Sequence, residues 1–324
     1  MKEIVFINKN IDRWKEFESY LFKNKDIKTD KLSDLYIQLT DDLAYAQTFY
    51  PESDIKNYLN ELALKTHQEI YKTKKEKKGR IKAFWKYDFP LMFYKTRKYF
   101  YYSLLITIIS TSLGFLSAAN DDGFVRLILG DAYVNMTHEN IKDGDPMAVY
   151  KKASETEMFL GITVNNIRVS FIAFLLGVFF SIGTGYILFT NGLMLGAFHY
   201  MLFKEGVLLQ SMSSIWLHGT IEIFSIIVAG GAGLIIGNSI LFPKTYKRID
   251  SFKHGTKKGA KIALGLVPFF IIAGFIEGFI TRYSFMPMVV KLLIIGISAS
   301  LIIWYFFIYP KKLYNKINLT ATTG

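Results

Sequence analysis

Residues 214–242 read SIWLHGTIEIFSIIVAGGAGLIIGNSILF, and the only formal charge among them is Glu222. A helix over this stretch rises about 44 Å at ~1.5 Å per residue, more than the ~30 Å hydrocarbon core of a bilayer. A run this long and this uncharged predicts a membrane-spanning helix. The rest of the chain is read outward from it.

Similar apolar segments lie at about 99–119, 169–190, 192–209, 261–281 and 287–309. With 214–242 they make about six embedded segments, so the fold class expected is all-α, a polytopic membrane helix bundle. The segment at 192–209 is the weakest. It opens on Asn191-Gly192, a turn signal, and holds His199, Lys204 and Glu205, which makes it the candidate for a re-entrant segment. Charge supplies the topology. Residues 72–98 carry eleven Lys or Arg against Glu76 and Asp88, a net of +9. Residues 243–261 carry seven against Asp250, a net of +6, and the tail adds Lys311, Lys312 and Lys316. Residues 120–167 carry four basic groups against eight acidic ones, a net of −4. Basic stretches stay in the cytoplasm, so both termini are expected inside, with an even number of crossings. Met1–Asn10 lacks a basic start followed by an apolar core, so the first membrane helix is expected to do the targeting.

Residues 1–98 hold no spanning segment and are read as a cytoplasmic helical domain. Three apolar stripes run at helical spacing: Trp14, Phe17 and Leu21; Leu32, Leu35, Tyr36, Leu39, Leu43 and Ala46; Ile55, Tyr58, Leu59 and Leu62, after Pro51. They predict a small bundle with a thin core. The basic stretch from Lys72 through Lys98 interleaves Phe84, Trp85 and Phe93, and Phe84, Trp85, Asp88 and Pro90 are assigned to an interfacial segment on anionic lipid. The bundle, with its outer loop at 120–167, is read over 99–310 and a cytoplasmic tail over 311–324. The formal net charge of +12 is assigned to inward-facing Lys and Arg, and no nucleic-acid partner is expected.

Acids inside a bilayer cost ~2.5–3.5 kcal/mol at a helix centre, so each calls for a partner or a role. Glu222 and Glu277 stand out. His218 and Glu222 are spaced i, i+4 and share a helix face, with Gly219 read as room for a neighbouring backbone. His218, Gly219, Glu222 and Glu277 are therefore the candidate intramembrane polar site, read as a polar pocket or as a hydrogen-bonded packing clasp. Arg282, five residues beyond Glu277, is read as its partner or as a helix cap. No His-Glu-x-x-His string occurs, and there is no cysteine, so thiolate metal sites, disulfides and thiol nucleophiles are excluded. No metal, cofactor or catalytic residue is expected. Gly230-Gly231-Ala232-Gly233 lacks the preceding strand and following Lys of a phosphate loop. Gly230, Gly233 and Gly237, with Gly192 and Gly196, are read as close-packing helix faces. The outer loop, with Phe124, Val125, Ile128, Leu129, Tyr133 and Val134, is read as one or two short helices over the bundle mouth.

Several of these strings resemble the stage II sporulation protein M family. Phe84-Trp85-Lys86-Tyr87-Asp88-Phe89-Pro90 is similar to the aromatic–acid–proline element before its first span. Asn165-Asn166, Asn191-Gly192 with Gly196, and His218-Gly219-x-x-Glu222 followed by Ala229-Gly230 and Gly233 match its membrane motifs in order. The resemblance implies a multi-pass protein of the bacterial inner membrane without known catalysis, whose name-giving member works with peptidoglycan-degrading partners during engulfment. The function expected is a non-enzymatic membrane scaffold or anchor of an envelope-associated complex. Its partners would be membrane lipids, other membrane or extracytoplasmic proteins and, in a homo-oligomer, a second copy. The rival is a transporter or channel subunit in which His218, Glu222 and Glu277 line a polar path.

Overall fold

A computed structural model describes residues 2–22, 29–71, 79–151, 154–283 and 286–322, and among them every regular element is helical. The chain forms two compact units, Met1–Arg80 and Ile81–Gly324.

The first unit holds α1 (Glu3–Phe22), α2 (Thr29–Phe49) and α3 (Asp54–Tyr71). Its core is the predicted stripes: Phe6, Trp14 and Phe17 against Leu35, Leu39 and Ala46 and against Ile55, Leu59 and Leu62. Trp14 is 1% exposed and donates its indole N–H to Asp42 Oδ2 at 2.8 Å, and Arg13 pairs with the same carboxylate. Burying the ring with its N–H satisfied avoids the penalty of an orphaned donor. The side chains of Leu21 and Leu32, and the basic run Lys72, Lys74, Lys75, Lys77 and Lys78, lie outside the described residues.

The second unit holds α4 (Arg80–Asn120), α5 (Asp122–Leu129), α6 (Asp131–Lys142), α7 (Glu155–Val178), α8 (Ile182–Lys204), α9 (Leu208–Leu241), α10 (Arg248–Thr281) and α11 (Met288–Leu319). Six of these, α4 and α7 through α11, are long and apolar enough to cross a membrane. α9, the helix of the opening stretch, is the centre. Its most apolar window is 72% buried, against 56% or less in the other five.

Three boundaries differ from the sequence reading. The helical domain gives way at Arg80 rather than 98, because the aromatic–basic stretch is already the first two turns of α4. The outer loop shortens to 121–154, because Ser154 and Glu157 form a capping box that starts α7. Finally, the second and third segments do not meet at Asn191-Gly192. That pair lies inside α8, where Asn191 donates its side-chain N–H to the Ile187 carbonyl at 2.8 Å. The reversal falls between α7 and α8, with Phe180 (φ 52°) and Ser181 (φ 69°) in left-handed conformations. α8 is consequently one 23-residue helix, long and apolar enough to cross a membrane.

Small residues lock the crossings. Ser110, Gly114 and Ala118 on α4 face Gly192 and Gly196 on α8. A methyl at Gly192 would run into the Ser110 side chain, and one at Gly196 would stand 2.6 Å from the Phe115 backbone nitrogen. On α9, a methyl at Gly230 would lie 2.6 Å from Ser103 Oγ of α4. At Gly233 it would lie 3.0 Å from Thr184 Cγ2 of α8, and at Gly237 2.8 Å from the Phe180 carbonyl carbon. Lipid offers no hydrophobic push between helices, so close approach and van der Waals contact hold them together. Gly114 takes part in the α4–α8 crossing against Leu193, and Gly177 of α7 meets Gly233 of α9.

Three turns are π-helical: Phe84–Asp88, Ile276–Thr281 and Trp304–Ile308. The first and third are stitched together. Tyr305 donates its hydroxyl to the Trp85 carbonyl at 2.6 Å, Tyr309 donates to the Lys86 carbonyl at 2.7 Å, and Trp85 donates to the Gly265 carbonyl at 3.1 Å. The Phe89 N–H bonds the Phe84 carbonyl, which frees the Trp85 carbonyl, and Pro90 has no N–H to offer the Lys86 carbonyl, so the two tyrosines use both. Phe84 and Trp85 thus pack on the bundle core, Phe89 and Pro90 are buried, and Asp88 stays exposed.

Two short helices fill the 121–154 connection. Val125 and Val134 pack with Phe124, Ile128, Leu129 and Tyr133 onto Ala118, Ala197 and Met201, and His138 pairs with Glu205 at 3.3 Å. They cap the ends of α4 and α8.

Candidate functional site

His218 lies ten residues into α9, about 15 Å from its start at ~1.5 Å per residue, and is 5% exposed. The second π turn, Ile276–Thr281 of α10, packs against it. Glu277 and Thr281, four residues apart on one face of this turn, both reach the imidazole. Nδ1 of His218 is 3.1 Å from Thr281 Oγ1, and Nε2 is 3.7 Å from Glu277 Oε1. Glu222, one turn along α9, completes the group: one ligand-type atom from each of His218, Glu222 and Glu277 lies within 4.8 Å of the others.

Thr281 is itself held by its hydroxyl on the Ile276 carbonyl at 3.2 Å, so it fixes one edge of the ring while the other edge faces Glu277. The other oxygen of that carboxylate, Oε2, is buried without a hydrogen-bond partner.

Glu222 is half-buried and opens onto a cavity of about 280 Å³, which Asn165, Asn166, Asn191 and Gly219 also line. Asn166 on α7 is the hydrogen-bonding neighbour of the Glu222 carboxylate. The Asn165-Asn166 pair, Asn191 and the His-Gly-x-x-Glu string, far apart in sequence, therefore border one space. Gly219 does not serve a helix crossing. A methyl there would meet only Ile223 and Ile215 of its own helix, at 3.8 and 3.9 Å. Its small size keeps the cavity open instead.

Arg282 occupies the cap position after the π turn, and its guanidinium pairs with Glu155 of α7 at 3.4 Å. Two groups escaped the sequence reading. Thr281 has no signal beyond its distance of four from Glu277. Lys291 on α11 is 7% exposed and donates to Ser214 Oγ at 2.9 Å, one turn from His218. Its appearance in an apolar segment was the available signal.

Six apolar helices around a buried imidazole–carboxylate group define a polytopic integral membrane protein. The family model for stage II sporulation protein M matches residues 103–282, more than half of the chain, and the chain belongs to that family. The matched region contains His218, Glu222, Glu277 and Thr281. A second model, a domain of unknown function designated DUF8413, matches residues 4–72, the span of the first unit's three helices. No curated protein and no solved structure matches the chain.

Proposed function

We propose that the chain is a non-enzymatic membrane scaffold that anchors an envelope-associated, peptidoglycan-remodelling complex in the bacterial cytoplasmic membrane. The observation that supports this most is the interlocked bundle. Its central helix approaches α4 and α8 through glycines in van der Waals contact with their neighbours, a rigid frame suited to holding other proteins. One end of the frame presents α5 and α6, with Leu127 79% exposed, a surface offered to a partner. Affinity purification from native membranes after crosslinking, read by mass spectrometry, tests it. Envelope enzymes with extracytoplasmic domains are expected to co-purify and to be lost with Leu127→Asp. Recovery of the chain alone would overturn the scaffold reading.

One observation favours the rival, a transporter or channel subunit: the cavity beside Glu222 is lined by three asparagines. That reading expects Glu222→Gln to abolish function with partner capture intact.

The charge distribution supports both termini inside. The chain has no cysteine, so single cysteines report cleanly. Asp143→Cys, between α6 and α7, should react with an impermeant maleimide in intact cells, whereas Lys312→Cys should react only after permeabilisation. The opposite pattern would invert the topology.

A further inference from the structure

We propose that His218, Glu222 and Glu277 together bind one divalent transition-metal cation of the zinc class, which pins the π turn of α10 to the central helix. This departs from the expectation of a metal-free bundle and does not depend on the scaffold reading.

Four observations carry it. First, the donor set fits. One imidazole nitrogen and two carboxylates are hard-to-borderline ligands, and their ligand atoms lie within 4.8 Å of one another. Bonds of about 2.05 Å place tetrahedral ligands about 3.4 Å apart, and Nε2 stands 3.7 Å from Glu277 Oε1. Closing on an ion takes side-chain adjustment rather than helix movement. Second, the surroundings of the ring fit. A metal-ligating histidine gives its other N–H to a fixed acceptor, and Thr281 Oγ1, anchored on the Ile276 carbonyl, stands 3.1 Å from His218 Nδ1 to take that part. Third, Glu277 Oε2 is a buried carboxylate oxygen without a hydrogen-bond partner on a residue 8% exposed. Such an atom is costly in an apolar bundle unless a cation takes it. Fourth, there is room for the remaining coordination positions. Glu222 borders a cavity of about 280 Å³, and Asn165, Asn166 and Asn191 there are suited to hold metal-bound water.

Two carboxylates this close need positive charge between them, so the competing occupant is a proton. Lys291, one turn away through Ser214, bonds a hydroxyl at 2.9 Å rather than either acid.

Full-length protein in detergent, stripped with chelator and dialysed against Zn²⁺, tests the site. One equivalent per chain is expected, with a rise in melting temperature. Co²⁺ in place of Zn²⁺ should give visible d–d absorption bleached by added Zn²⁺. His218→Ala and Glu277→Gln should each lose at least 100-fold in affinity. Thr281→Ala, which keeps all three ligands and frees only Nδ1–H, should lose about 10–100-fold. His254→Ala, at an exposed position on α10, should bind as wild type. Should either ligand variant fail to fold, Glu222→Gln at the cavity edge and Thr281→Ala still report. Folded ligand variants that keep wild-type affinity would overturn the proposal. So would a wild-type protein that takes up less than about 0.1 equivalent, which would assign the site to a proton.

Discussion

Gly192→Leu is expected to destabilise the detergent-solubilised protein by about 3 kcal/mol, the upper end of the usual cost of overpacking. The crossing of α4 and α8 leaves no slack at this point. A methyl at Gly192 meets the Ser110 side chain and stands 3.1 Å from the Thr107 carbonyl oxygen, and the facing Gly114 would meet Leu193 Cα at 2.8 Å. Ser110 Oγ can rotate away, but Ser110 Cβ at 2.7 Å and the backbone atoms cannot, so the helices must part. Separation would also break the contacts of Gly196 one turn on. Gly185→Ala, on the same helix with nothing within 4 Å, is the control. It should melt at or above the wild-type temperature, because alanine favours helix over glycine by up to ~1 kcal/mol. Heating in one detergent, with the surviving monodisperse fraction read by gel filtration, compares the three. Equal melting of Gly192→Leu and wild type would mean the helices do not touch there.

What was legible in the sequence follows from the range of each signal. Hydropathy is summed over twenty residues, so all six spanning helices stood out, and the i, i+4 spacing of His218 and Glu222 needed only one regular helix. The three stripes of the N-terminal unit were readable for the same reason. Glu277 could be flagged as a costly acid, yet its meeting with His218 depends on how α10 packs against α9, which no local spacing encodes. The reversal between α7 and α8 was hidden because Phe180 and Ser181 adopt left-handed conformations normally left to glycine or asparagine. Asn191-Gly192 has the composition of a turn, but in a bundle the glycine serves a crossing and the asparagine bonds back to its own helix. The start of α7 was legible and overlooked: Ser154-x-x-Glu157 is a capping-box string ahead of an apolar run.

The central claim is that an imidazole on α9 and a carboxylate on α10, 59 positions apart in the numbering, act as one buried unit. Whether a cation or a proton bridges them, removing either side leaves the other without its partner in an apolar bundle. Each single loss should therefore cost about 1–3 kcal/mol, the penalty of an orphaned buried polar group. The decisive measurement is the thermal stability of wild type, His218→Ala, Glu277→Gln and the double variant, in one detergent with chelator present. The double variant is predicted to lose less than the sum of the singles, by about 0.5–3 kcal/mol. Strictly additive losses would show that the two side chains do not interact and would contradict the site.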